Sequence, residues 1–552
     1  MSLKKTSLFV LSIAFALSSF AILPVKEKTP VDYVNPYIGN ISHLLVPTYP
    51  TVHLPNSMLR VYPERENYTG NVLNGLPLIV TSHRGSSAFN LSPYQGDLKN
   101  AKSVVSLGYD NEVIKPYYYS VDLDDNGIYV QYAPSHQSGI YEVNFSDTDT
   151  PAYLIFNTRN GEIKTERNSV SGYQKLDNNT RVYIYFETDI QPVKAGTHMD
   201  SGIKSASKET EGHNAYFILQ YPAQTKQINA RYGISFISVE QAKRNLKREI
   251  NNYSVASVAA KGRDIWNKTL NKIQVTGDDD NAKTVFYTSL YRIYERMICI
   301  SEDGKYFSAY DGKVHSDNDR PFYTDDWIWD TYRATHPLRI IIDPAVEEDM
   351  INSYIVMTQQ MERAWMPNFP EVTGDSRRMN SNHGVAMVAD AYIKGLRNFN
   401  LAEAYNVSKA AITEKTLAPW SSKPAGVLDQ FYKDHGYFPS LAKDEQETVP
   451  EVHGWEKRQP IAVTLGTVYD EWCLSLIAKE LGNDKEADYF SKRSLNYHKV
   501  FNPETKFFHP KDTFGIFMEN LDYRFPPGIG GRDAYDENTG YVYRFDVPHN
   551  VG

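Results

Sequence analysis

With only two cysteines in 552 residues, Cys299 and Cys473, the chain has little from which to build a disulfide framework. Both lie in helix-like apolar contexts far apart in sequence, would pair only if the fold brought them together, and are expected as buried free thiols. Basic residues are also short: 58 Lys and Arg stand against 67 Asp and Glu, a net charge of −9. With acids spread along the whole chain, the basic face that nucleic acid requires is excluded. There is no low-complexity tract, and past the N-terminus no apolar run of about 18 residues that would predict a membrane span. What the chain has in excess is aromatic surface, with 40 Tyr, 24 Phe and 7 Trp. Tyrosine in that number suits surfaces that are polar and must also stack, which favours carbohydrate or peptide recognition over a purely structural role.

The first residues read as a targeting segment. Lys4 and Lys5 form its charged start, and an apolar run from Leu8 to Ile22 follows, broken only by small hydroxyl residues. This predicts a signal peptide over residues 1–22, cleavage near Ala21, and a periplasmic or secreted protein with no integral span after cleavage. No cysteine sits there, so no lipid anchor through a Cys is expected. The length exceeds what one core serves, and two or more domains are expected.

The periodicity divides the chain. Over residues 31–238 it is mostly two. Tyr117, Tyr119, Val121 and Leu123 alternate, Asp124-Asp125-Asn126-Gly127 turns, and Ile128, Val130 and Tyr132 return as a hairpin. Further strands are predicted over 153–157, 182–187, 215–221 and 232–238, and short strands at this spacing predict a β-sandwich. Over residues 239–275 the period becomes helical, in a Lys/Arg-rich segment that reads as a helical linker. Nearly everything after it, residues 276–552, is helix. Asp343-Pro344 reads as an N-cap followed by proline at the first helical position, Val346, Met350, Tyr354 and Met357 line one face, and Gly482 is placed as the C-cap of a helix carrying Leu465, Val468, Trp472 and Leu476.

The densest functional stretch runs from Tyr323 to Arg339. It gathers Asp325, Asp326 and Asp330, the indoles Trp327 and Trp329, Arg333 and His336, before a proline, Pro337, that is expected to stop any helix. Aromatic faces stack on the apolar faces of a pyranose, while carboxylates and guanidinium groups take its hydroxyls through charge-assisted hydrogen bonds. The same residues also fit a buried aromatic helix whose acids cap its start. The loop Trp365-Met366-Pro367-Asn368-Phe369-Pro370 is expected to form a wall of the pocket.

Six pieces in a fixed order resemble glycoside hydrolase family 92, the exported, calcium-dependent, exo-acting α-mannosidases. They are Val34-Asn35-Pro36-Tyr37-Ile38-Gly39; Phe286 to Arg292; Trp329-Asp330-Thr331-Tyr332-Arg333 with His336-Pro337-Leu338; Asn382-His383-Gly384 leading to Ala389-Asp390-Ala391-Tyr392; Tyr469-Asp470-Glu471-Trp472; and Val547-Pro548-His549. The resemblance implies a multidomain chain, an N-terminal β-sandwich joined by helices to an (α/α)6 toroid-type catalytic domain. It implies inversion at the anomeric carbon, in which a glutamic acid protonates the departing oxygen and an aspartate activates water on the opposite face. Counting back from Val547-Pro548-His549, the acid falls on Glu537, with Asp533 and Asp536 beside it as groups able to raise its pKa.

By the same resemblance Asp330 hydrogen-bonds the sugar, and Trp329, Asn382, His383 and His549 border it. Calcium is implied as cofactor, with its ligands and the aspartate base expected beyond Gly552, so that the barrel is expected to be incomplete in this chain and its activity as a hydrolase lost if the protein ends there. The chain departs from the family at Thr539 and Tyr541, where Asn and Trp are usual, and at Gln459, where an acid is usual. The partner expected is a mannose-containing glycan. The alternative is a divergent, non-catalytic glycan-binding homologue that keeps Trp329 and Asp330. A helical-toroid polysaccharide lyase would instead draw on Tyr541, Arg544 and His549.

Overall fold

The computed structural model describes residues 27–551 apart from 42–47, 67–68, 82–86, 124–126, 200–201, 205–207 and 525–532. The signal segment and the central turn residues of the first hairpin lie outside the described residues.

Alternating apolar residues fold the N-terminal part into antiparallel strands. Arg181–Thr188 and Ser169–Lys175 bury every second side chain along most of their length, as a sheet with one face on the core must. The hairpin read in the sequence pairs Tyr118–Leu123 with Ile128–Pro134, Val121 opposite Val130. The strand Tyr153–Glu166, longer than the five residues expected, holds the layers together. Its first half pairs with Phe89–Tyr94, its second with Ser169–Lys175, and nearly its whole length with Glu209–Gln220. One core cluster, including Phe89, Phe156, Phe186 and Phe217, fills the space between layers.

The segment after the sheet is helical, as its periodicity predicts. Helix α1 (Val239–Glu249), capped by Ser238 Oγ accepting from Gln241 N–H, lies flat on the strand Gln227–Ser235. The approach is close enough that a Cβ at Gly233 would sit 2.1 Å from the Ala242 carbonyl oxygen, so only glycine fits there. Helices α2 (Val255–Leu270) and α3 (Asp280–Ile293) follow, with Trp266 fully buried and its Nε1–H donating to the His53 carbonyl.

The helical part continues with α4 (Ile328–Thr331), α5 (Thr335–Ile342), α6 (Pro344–Gln359), α7 (Gly384–Ile393), α8 (Leu401–Thr413), α9 (Val427–His435), α10 (Pro460–Glu480), α11 (Asp484–Arg493) and α12 (Gly540–Tyr543). Helix α10 is the axis against which α7, α8 and α11 pack. It is the one described helix long and apolar enough to cross a membrane, contrary to the reading of the sequence, but 78% of its apolar window is buried inside the protein, as for a core helix.

Four readings need correction. Residues 276–552 are not nearly all helix, because long loops and short two-stranded ladders, such as Lys305–Ser308 with Lys313–Ser316, separate the helices. Pro337 does not stop a helix, because it occupies the first turn of α5, where a missing N–H costs nothing. Asp343 stands at the N-cap of α6 but its carboxylate does not cap; it accepts from the Tyr294 hydroxyl at 2.6 Å and pairs with Lys272. Cys299 is in the short strand Ile298–Cys299 rather than a helix, and is half-buried; both cysteines are free. Gly482, at φ 73°, takes the left-handed position just past α10.

Candidate active site

The dense stretch splits into a buried half and an open half. Asp325, Asp326 and His336 are each about 2% exposed or less and serve as scaffold. Asp325 is held at 2.6 Å by both Arg60, from the N-terminal domain, and Arg296. Arg296 in turn lies over the Trp327 ring at 3.7 Å, so one buried carboxylate pins the two domains together. Asp326 accepts from His336 Nε2 at 2.9 Å, from the Tyr354 hydroxyl at 2.7 Å and from Thr331 Oγ1 at 2.9 Å. His336 Nδ1 reaches Glu347 at 2.8 Å. Burial alone would strip the proton from His336, but the carboxylates of Glu347 and Asp326 outweigh it and raise its pKa to about 10.

The open half faces a cavity of about 680 Å³. Trp329, Asp330, Tyr332 and Arg333, at and just after α4, form one wall; Asn380, Ser381 and His383, ahead of α7, form the second; Leu465, Gly466 and Tyr469 of α10 form the floor; and Asn538 with the segment from Tyr541 to Pro548 forms the rest. The size suits one or two sugar rings. Asp330 does not cap α4, whose N-cap is Trp327, and its carboxyl is turned toward the cavity. Desolvation by the surrounding walls, then the negative charges of Glu537 and Asp326, raise its pKa to about 7.

Glu537 sits half-buried on the turn that precedes α12, with φ of +47°. That turn is braced from several sides. Asp536 is fully buried and accepts from Asn380 Nδ2 at 2.9 Å, Tyr543 donates its hydroxyl to the Asp536 carbonyl at 2.9 Å, and Ile461 N–H at the start of α10 donates to the Ala534 carbonyl. Asp533 pairs with Lys457 and Asp536 accepts from Asn380; the charge of Glu537 is among those that raise Asp330. Asn380 also donates to Gln459 Oε1 at 3.0 Å, and Gln459 donates to Glu456 Oε2 at 2.9 Å. An acid at position 459 could accept but not donate to Glu456, so the amide at this departure from the family is matched to its neighbours.

Left-handed backbone at non-glycine residues clusters here, at Asp325, Arg377, Met379, Ser381, Gln459 and Glu537. Such conformations cost on the order of 1 kcal/mol or more each and persist where the surroundings impose them, which is common at functional sites. Gly466 is equally constrained: a Cβ there would meet Ser381 Oγ at 1.8 Å.

The other sequence-predicted residues separate clearly. His383 lines the cavity, whereas Asn382 lies behind it, its N–H donating to Asp470 Oδ2 at 2.7 Å and its Oδ1 buried without a partner. His549 is a structural donor, its Nε2–H given to the Ser494 carbonyl at 2.9 Å and its ring set among Tyr469, Trp472 and Tyr497. The loop from Trp365 to Pro370 is not a wall of this cavity. Trp365 lies between Arg363 and Arg377, Phe369 stacks on Trp327, and Met366 supports Gly384. Sequence reasoning did not single out Asn380, Ser381 or Asp546. Asp546, which pairs with Arg333 across the cavity, carries no local signal.

Members of the family that the sequence resembles generally depend on calcium. Among the described residues no three His, Cys, Asp or Glu side chains gather as a metal site, and Asp546 is engaged by Arg333. These residues do not supply the six to eight oxygen ligands that calcium takes.

The catalytic-domain model of glycosyl hydrolase family 92 matches residues 241–552, and that of the family's N-terminal domain matches residues 33–235. A family GH92 inverting mannosidase of Bacteroides thetaiotaomicron VPI-5482 has the same fold, with a TM-score of 0.82 and 25% identity over 95% of this chain and 71% of that one. A GH92 α-mannosidase of the same species, solved with mannoimidazole, superposes with a TM-score of 0.81 at 21% identity, covering 95% and 71%. An uncharacterized secreted glycosidase of Arthroderma benhamiae is 22% identical over 88% of this chain, which spans 64% of that relative's length.

Proposed function

We propose, from the premise that this chain belongs to glycosyl hydrolase family 92, that it is an exported exo-glycosidase removing α-linked mannose from glycans with inversion. The observation that carries the reading is Asp330 on the cavity wall, its pKa raised to about 7 by desolvation and then by the charge of Glu537, which stands on the turn next to the cavity-lining Asn538. Two carboxyl groups near enough for the charge of one to act on the other, beside a pocket, are what glycoside hydrolysis needs. Glu537, on its braced turn, donates the proton to the departing glycosidic oxygen. Asp330 takes sugar hydroxyls, and the half-buried indole of Trp329 offers an apolar face to the ring. The water-activating base is not assigned among the described residues. Export rests on the predicted leader and agrees with the secreted relative.

The test compares two substrates with the wild type and Glu537→Gln. A mannobiose needs its leaving oxygen protonated, whereas an aryl α-mannoside with an acidic phenol does not. The variant is expected to lose about 10²–10⁴-fold on the disaccharide and far less on the aryl mannoside. Equal losses on both would remove Glu537 from the acid role. A non-catalytic glycan-binding homologue would bind mannosides through Trp329 and Asp330 and turn over neither substrate.

A further inference from the structure

His383 is held more firmly than a sugar-contacting side chain needs for packing alone. Its Nδ1 lies 2.7 Å from Asp470 Oδ1, and the other oxygen of that carboxylate accepts from Asn382 N–H, also at 2.7 Å. Asp470 is fully buried in the middle of α10, while His383 stands at the N-terminus of α7, so the contact ties together the two helices that flank the cavity. Tyr332 covers the imidazole with ring centroids 4.0 Å apart, and Tyr469 meets it edge-on at 5.9 Å. Tyr332 is itself fixed, its hydroxyl accepting from Arg333 Nε at 2.6 Å. Among the described residues, Nδ1 is the ring nitrogen that has a protein partner. Nε2 is not among the buried atoms left without one, and His383 lines the cavity.

We infer that Asp470 is a positioning residue that holds His383 in its Nδ1–H tautomer, so that Nε2 is presented to the cavity as an acceptor for a hydroxyl of the bound sugar. The chemistry follows from the carboxylate. A carboxylate oxygen accepts, so the Asn382 N–H and the His383 nitrogen that face it donate; this places a hydrogen on Nδ1, and a ring carrying one hydrogen then keeps its lone pair on Nε2. The inference deepens the mannoside reading of the cavity and rests on it for the identity of the hydroxyl donor; the assignment of the tautomer does not.

The test uses the full chain labelled with 15N at its histidines, with His383→Gln to assign the resonance. Long-range 15N–1H correlations should show Nδ1 protonated and Nε2 bare. In Asp470→Asn the one remaining oxygen is drawn to Asn382 N–H and the amide NH₂ then faces Nδ1, which forces the proton to Nε2. A wild-type ring protonated at Nε2, or an unchanged tautomer in a folded Asp470→Asn variant, overturns the positioning role. Titration with methyl α-mannoside should shift His383 Nε2, and Asp470→Asn should weaken that binding roughly fivefold with little change in melting temperature. Shifts at the Trp329 indole without one at His383 overturn the sugar contact alone. No shift at either would sink the mannoside reading while leaving the tautomer result to stand.

Discussion

Replacing His336 with alanine isolates the buried scaffold from the open site. Three ionisable side chains, Asp326, His336 and Glu347, are enclosed at 2% exposure or less, and the imidazolium is the only cation in direct contact with both carboxylates through its two ring nitrogens. Removing one member of such a buried set leaves uncompensated charge and costs about 3–5 kcal/mol. In a domain of this size that lowers the melting temperature by about 2 °C per kcal/mol, or roughly 6–10 °C at pH 8. The sign with pH separates this from a simple cavity. In the wild type the His336 pKa is raised from 6.5 to about 10, so its contribution is complete below pH 6.5 and is lost as pH climbs toward 10. In His336→Ala the stranded carboxylates take up protons as pH falls, and the deficit should shrink toward pH 4–5. Thermal melts of both proteins from pH 4 to 10, followed by circular dichroism, read this directly. A variant that melts with the wild type at pH 8, or whose deficit grows on acidification below pH 6.5, would refute the reasoning.

Asp330→Asn should act oppositely on stability and function. The raised pKa of Asp330 means that its ionised form costs folding free energy, a cost that grows as pH rises from 3.8 to about 7; at pH 8 the variant should melt no lower than the wild type while losing mannoside binding by calorimetry. Gly466→Ala drives a methyl into Ser381 Oγ, and should cost about 1–3 kcal/mol in urea unfolding with a larger loss of kcat/KM, since the displaced loop lines the cavity. Arg60→Met leaves Asp325 with Arg296 alone, and limited proteolysis should find the junction between the two domains cleaved faster than in the wild type.

The division between strand and helix was legible because burial imposes it directly. Alternation along the strands Tyr118–Leu123 and Arg181–Thr188, and most of the apolar positions read in α6 and α10, fall on residues that the core buries, with Val346, Trp472 and Leu476 half-buried at its edge. The roles within the stretch from Tyr323 to Arg339 were not legible, because a carboxylate that binds sugar and one that receives a buried histidine have the same letter. Asp326 found His336 ten positions on, within α5, and Asp330 did not. Asp470 shows the same limit from the other side. It was visible as part of Tyr469-Asp470-Glu471-Trp472, yet its bond to His383 joins positions far apart in sequence, and Glu471 beside it goes to Arg493 and Tyr432 instead. Pro337 misled because a proline marks a helix start as readily as an end.

The most direct test of the account follows the first sugar released. Wild-type protein and Glu537→Gln, each confirmed as folded, are incubated with an α-linked mannobiose while 1H NMR follows the anomeric protons before mutarotation mixes them. The account predicts that β-mannose appears first with the wild type, and that Glu537→Gln releases almost none. Release of α-mannose first, or undiminished turnover by Glu537→Gln, would contradict it.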